Sequence, residues 1–217
     1  MTSTALVVTP NSDVTTRYIS AWADQTVEDL KSTKLRFICI AKERAASSVF
    51  ESMLKKHTPS FVFLNGHGSP DSVCGQDNEP LIEADKNERI LKGTVTYALS
   101  CSSAKVLGPK AVAAGAAAYI GYTNDFIFFI SKEKVGRPKG DKTAEIFLTP
   151  ANHVVVSLAK GHTTRKACAD TRNYFYRNIQ KLISSEASLA DREYIRYLLW
   201  DMRSLVCEGN QEAVVVK

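Results

Sequence analysis

Five short apolar runs in the first 122 residues constrain what this chain can fold into. Residues 5–9 (ALVVT), 35–41 (LRFICIA), 60–64 (SFVFL), 94–99 (TVTYAL) and 117–122 (AAYIGY) are rich in β-branched and aromatic side chains. Each is too short for a stable helix and nearly continuous in apolar character, as strands covered on both faces are. Helical segments separate most of them. Ser12 or Asp13 can cap a helix reaching about Lys31. Residues 45–57 put Val49, Phe50, Met53 and Leu54 on one helical face, and Pro59 ends that segment. An Ala-rich helix fits residues 105–115. The order β-α-β-α-β-loop-β-α-β predicts an α/β fold, a three-layer α/β/α sandwich around a mainly parallel sheet.

Residues 69–93 break the alternation. They carry a hairpin signal, with 73–75 and 80–82 flanking Asp77 and Asn78. Such an excursion lies beside the strand ends, where open α/β sheets place their sites. After Pro150 the pattern turns helical. Ala167, Thr171, Tyr174, Phe175, Ile179 and Leu182 follow helical spacing, as do Ile195, Leu198, Leu199, Met202, Leu205 and Val206. Two or three helices on one face of the sheet and a frayed tail after Gly209 are expected. Residues 1–217 read as a single domain, with a core over about 1–150 and helices over about 151–207.

Composition narrows the function classes. With 44% apolar and 24% charged residues and a net charge of +5, the chain matches an ordinary globular protein. Its basic cluster, Lys132, Lys134, Arg137, Lys139 and Lys142, surrounds Gly136, Pro138 and Gly140 and reads as a solvated loop. It lacks interleaved aromatic residues, so direct nucleic-acid binding is not expected. Five cysteines without a CxxC pair suggest neither a disulfide framework nor a zinc site. Cys39, Cys168 and Cys207 read as buried free thiols of a reducing compartment. The first residues lack the charge and apolar length of a signal peptide, and no apolar stretch reaches membrane-spanning length, so a cytoplasmic location is expected. No metal or other cofactor is expected, because His57, His153 and His162 lack ligand spacing and no P-loop or GxGxxG occurs.

Two strands end in residues that can do chemistry. The third runs into Asn65-Gly66-His67-Gly68 and the fourth into Ser100-Cys101-Ser102. If these strands are parallel neighbours, His67 and Cys101 emerge on the same sheet edge. An imidazole beside a thiol favours the thiolate and can later protonate a leaving amine. The N–H groups of Gly68 and Cys101 can form an oxyanion hole. A helix starting soon after Cys101 would favour the thiolate further. Alone, either residue reads as a turn histidine or an inert cysteine; the pair, flanked by small residues, favours a Cys-His dyad.

The segments FVFLNGHGS (residues 61–69) and VTYALSCSSAKVLGPKAVAAGAAAYIGYTND (residues 95–125) resemble the clan CD cysteine peptidases, which include the caspases. They are most similar to the CHAT and gingipain-like branch that also holds separase. The resemblance covers residues 60–125 well and residues 1–60 loosely. It implies a caspase-like fold, endopeptidase activity and no metal, with His67 and Cys101 as the dyad. No Asp or Asn partner for His67 is evident in the sequence. Members of this clan often hold Arg or Lys in an acidic pocket. Leu99 stands where metacaspases carry an Asp, which removes one source of that preference. Asp125 is either the pocket floor or a solvated loop residue. In the former case Tyr122, Thr123 and Asn124 pair with substrate backbone. The resemblance also implies latency, relieved by a regulatory protein partner, a signal or processing, and a setting such as bacterial defence; the basic 132–142 loop would suit self-cleavage by an enzyme that cuts after Lys or Arg. The alternatives are a catalytically silent caspase-like binding module within a larger assembly and a flavodoxin-like module whose His-Cys pair is accidental.

Overall fold

The computed structural model describes residues 3–184 and 189–216. The chain runs through β1 (Thr4–Thr9), α1 (Val14–Asp29), β2 (Arg36–Ala41), α2 (Ser47–His57) and β3 (Phe61–Asn65). Three short strands follow: β4 (Gly68–Ser69), β5 (Ser72–Cys74) and β6 (Pro80–Glu83). Then come β7 (Val95–Leu99), α3 (Leu107–Ala113), β8 (Ala118–Tyr122), α4 (Lys142–Ala159) and α5 (Thr164–Ile183). Among the described residues, α6 (Leu189–Arg192), α7 (Ile195–Ser204) and β9 (Leu205–Gly209) complete the order.

The main sheet has six strands in the order β2-β1-β3-β7-β8-β9. All pairings are parallel except that of β9 with β8. This is the α/β/α arrangement around a mainly parallel sheet that the strand pattern predicts. The central strands are apolar on both faces because each face has a helical layer to bury against. Phe61 and Phe63 of β3 point into a core shared with α1, α4, α5 and α7. Val62 and Leu64 point the other way, toward α2, α3 and the small sheet. Phe63 stacks on Tyr97 of β7 at 5.2 Å between ring centroids, and the Tyr97 hydroxyl donates to the Ala151 carbonyl at 2.9 Å. The predicted hairpin exists as β5 and β6, extended by β4 into a second, antiparallel sheet.

Three expectations need correction. Helicity does not begin after Pro150, because α4 starts at Lys142 and runs through the proline. A proline there takes away the N–H that would bond the Ile146 carbonyl; Asn178 Nδ2 of α5 donates to it instead at 2.8 Å. Leu205 and Val206 are not helical, since α7 stops at Ser204 and they open β9. An apolar step that fits a helix also fits a strand seated on β8, and the unpaired edge of β8 settles the matter. Nor is the tail frayed: Val215 is fully buried, its carbonyl accepts from Ser60 Oγ at 2.8 Å, and the Ala213 carbonyl accepts from the Thr164 N–H. No helix among the described residues is long and apolar enough to cross a membrane.

Candidate active site

The parallel register of β3 and β7 aligns Asn65 with Leu99. The two residues beyond each strand end, His67 and Cys101, therefore leave the sheet at the same edge and level. Glycines on both sides of His67 make the turn possible. A Cβ on Gly66 would fall 2.1 Å from the Cys74 carbonyl oxygen, and one on Gly68 would fall 2.6 Å from the Cys101 carbonyl oxygen. Gly68 is thus packed directly against the Cys101 carbonyl and the Ser100 side chain. The loop after β7 is pinned at several points. Ser100 Oγ donates to Ser103 Oγ, the Ser102 N–H to the Asn124 carbonyl and the Ala104 N–H to the Tyr122 carbonyl. Ser102 sits at φ 56°, a left-handed conformation that costs a non-glycine residue about 1 kcal/mol or more.

His67 has a partner that the sequence did not disclose. Its Nε2 lies 2.6 Å from Asp13 Oδ2. Asp13 is the residue before α1 and caps it, with Oδ1 accepting the Thr16 N–H at 2.8 Å. The signal that could have found it was topological: β1 lies beside β3, so the turn after β1 opens onto the same edge. Partial burial pulls the Asp13 carboxyl upward, but hydrogen bonds from Thr16 and His67 outweigh it and leave the group below its ordinary value.

The Cys101 thiol is half-buried and donates weakly to the Phe126 carbonyl at 3.9 Å. Burial pushes it up, the Phe126 contact offsets part of this, and the Asp125 carboxylate adds to the rise. Among the described residues no hydrogen bond joins His67 to Cys101. The helix expected close behind Cys101 begins only at Leu107 and is a short one, so its N-terminus does not lie at the thiol.

Asp125 is exposed, and Ser102 Oγ donates to its carboxylate at 2.9 Å. Its carbonyl accepts from Trp200 Nε1 at 2.8 Å. Tyr122 is fully buried and paired with Leu205 of β9, and the Thr123 N–H donates to the Ser204 carbonyl. The edge expected to receive substrate backbone at 122–123 is therefore covered by β9, and Asn124 is the first residue beyond that pairing. Asp201 of α7 was also missed. Its Oδ1 accepts the Ile127 N–H at 3.0 Å, Oδ2 is buried without a partner, and burial pushes the carboxyl well up. An Asp three residues past Leu198 on an otherwise apolar helix face was the available sign. No group of three or more potential metal ligands occurs among the described residues.

No family model matches the sequence, and no curated protein does. Among solved structures, the inactive zymogen of a C11 protease from Parabacteroides distasonis aligns over 92% of this chain and 81% of its own. The identity is 8% and the TM-score 0.39, so the likeness carries no argument about fold or function.

Proposed function

We propose that the chain is a latent cysteine endopeptidase in which Cys101 is the nucleophile and His67 its general base and acid. The observation that supports this most is the register of β3 and β7, which brings Gly68 against the Cys101 carbonyl and the Ser100 side chain at one sheet edge. In the reaction His67 takes the thiol proton, and the thiolate attacks the scissile carbonyl. The N–H groups of Gly68 and Cys101 receive the oxyanion. The imidazolium then protonates the departing amine, and water releases the acyl group through the reverse sequence. Asp13 acts as a positioning residue that holds the imidazole through Nε2.

Latency follows from the resting contacts. The thiol is held at the Phe126 carbonyl and kept protonated by burial. Activation shifts the 126–130 segment and frees the thiol, prompted by a protein partner or by cleavage in the basic 132–142 loop, where Arg137 and Lys139 are exposed. Asp125 holds a cationic side chain at the cleavage position once Ser102 releases its carboxylate, and Asn124 offers backbone to the substrate.

A second reading is a catalytically silent binding module, favoured by the raised Cys101 thiol and the absence of a His67–Cys101 hydrogen bond. Fluorogenic peptides with Arg, Lys, Asp, Asn or Leu at the cleavage position separate the two. They are offered to the protein before and after limited tryptic nicking of the 132–142 loop. Cleavage after Arg or Lys that is lost in Cys101→Ala supports the peptidase, while silence in both states supports the binding module.

A further inference from the structure

The C-terminal edge strand is fastened to α5 by two side chains set two helical turns apart. Thr164 Oγ1 donates to the Asn210 carbonyl at 2.7 Å, and Arg172 Nη2 donates to the Leu205 carbonyl at 2.6 Å. Cys168 lies midway between them on the same helix face, and Cys207 lies between Leu205 and Asn210 on the strand side. Helical residues at i, i+4 and i+8 span about 12 Å, and the strand segment they meet spans about 16 Å. The two outer tethers therefore bring the two thiols face to face. Cys168 is part of the buried core on this face of the sheet, and Cys207 packs against the same cluster.

We propose that Cys168 and Cys207 form an oxidisable dithiol, a disulfide-forming site whose co-reactant is hydrogen peroxide and which staples β9 to α5. The two thiols divide the work. Cys207 is half-buried and the more accessible of the two, with the Arg172 guanidinium anchored two residues away at the Leu205 carbonyl. Cys168 is buried within the core. Cys207 is then the attacking sulfur and Cys168 the resolving one. The Cys207 thiolate attacks one peroxide oxygen and breaks the O–O bond. Cys207 becomes a sulfenic acid, and the hydroxide released takes up a proton to become water. The Cys168 thiol displaces the sulfenic hydroxyl, which leaves as a second water, and the S–S bond forms. In sum, two thiols are oxidised to one disulfide and one peroxide is reduced to two waters.

The staple closes a loop of about 40 residues and lies on the strand whose preceding residue, Ser204, holds the Thr123 N–H beside the candidate active site. This proposal does not depend on peptidase activity.

The test treats the full-length protein with a modest excess of hydrogen peroxide, blocks remaining thiols by alkylation and maps peptides without reduction. The expected product is a Cys168–Cys207 linked peptide, with Cys39, Cys74 and Cys101 still alkylated. The thermal midpoint should rise by roughly 10 °C and return on adding a thiol reductant. Cys207→Ser should lose both the linked peptide and the shift. It replaces a half-buried side chain, so it remains informative if Cys168→Ser fails to fold. Sulfinic acid at Cys207 without a cross-link, a cross-link between other cysteines, or an unreacted Cys207 would each overturn the proposal.

Discussion

Asp13 is asked to do two things, and two substitutions separate them. One oxygen caps α1 through the Thr16 N–H, and the other holds His67. Asp13→Ala removes both. Losing an N-cap costs about 1 kcal/mol, which in a chain of this size lowers the thermal midpoint by roughly 2–4 °C. Asp13→Asn keeps an amide oxygen that can cap, so its midpoint at pH 7 should fall by less than that of Asp13→Ala. What Asn removes is the charge. The Asp13 carboxyl is held below its ordinary value in the fold, so it contributes stability that is complete above the unfolded value near 3.8 and is lost as pH falls through the folded one. The difference between parent and Asn variant should therefore shrink below pH ~4. Activity should respond differently from stability. Both variants should lose ~10-fold or more in kcat, part of the roughly 10²- to 10⁴-fold that positioned acid–base catalysis supplies. Thermal melts from pH 3 to 7 and peptide turnover on the nicked protein measure the two effects. Unchanged turnover in Asp13→Asn would refute the positioning role, and equal destabilisation by Asn and Ala would refute the cap.

The remaining predictions concern the neighbouring residues. Gly68→Ala places a methyl 2.6 Å from the Cys101 carbonyl oxygen; it should cost about 1–3 kcal/mol in a denaturant melt and abolish turnover, and a variant of parental activity would mean that Gly68 does not abut the reacting centre. Asp201 is buried with its carboxyl held well above the ordinary value by that burial, so the fold favours its protonated form. Its favourable contribution is present below about pH 4 and is lost as pH rises toward the folded value. Asp201→Asn keeps an acceptor for Ile127 and should raise the thermal midpoint at pH 7 while changing it little at pH 3. A destabilised Asn variant at both pH values would place a charged Asp201 in the fold.

The succession of strands and helices up to β8 and the position of His67 and Cys101 just past two strand ends were legible because local chemistry writes them directly. Apolar runs such as SFVFL have one stable environment, a sheet covered on both sides, and His67 and Cys101 follow such runs without interruption. Asp13 was recognised as a helix cap but not as the histidine's partner, since that contact depends on β1 lying next to β3, and no local pattern states which strands are neighbours. The C-terminal strand was hidden for a related reason. Leu205, Val206 and Cys207 continue a helical spacing, and only the open edge of β8 makes an extended chain the better solution there. The same strand covers residues 122 and 123, so the edge proposed for substrate backbone was named from its own sequence without knowledge of what lies beside it.

Covalent capture of the nucleophile bears most directly on the central claim. A peptide ending in Arg and carrying a thiol-reactive ketone is incubated with the nicked protein, and the modified cysteine is found by peptide mass mapping. The account predicts one adduct, on Cys101, that is strongly reduced in His67→Ala. Cys39 is the more exposed thiol, but burial of its sulfur pushes it up to about 11, so it should remain unmodified. An adduct on Cys39 or Cys74 in preference to Cys101, or equal labelling of Cys101 in His67→Ala, would contradict the assignment of the dyad.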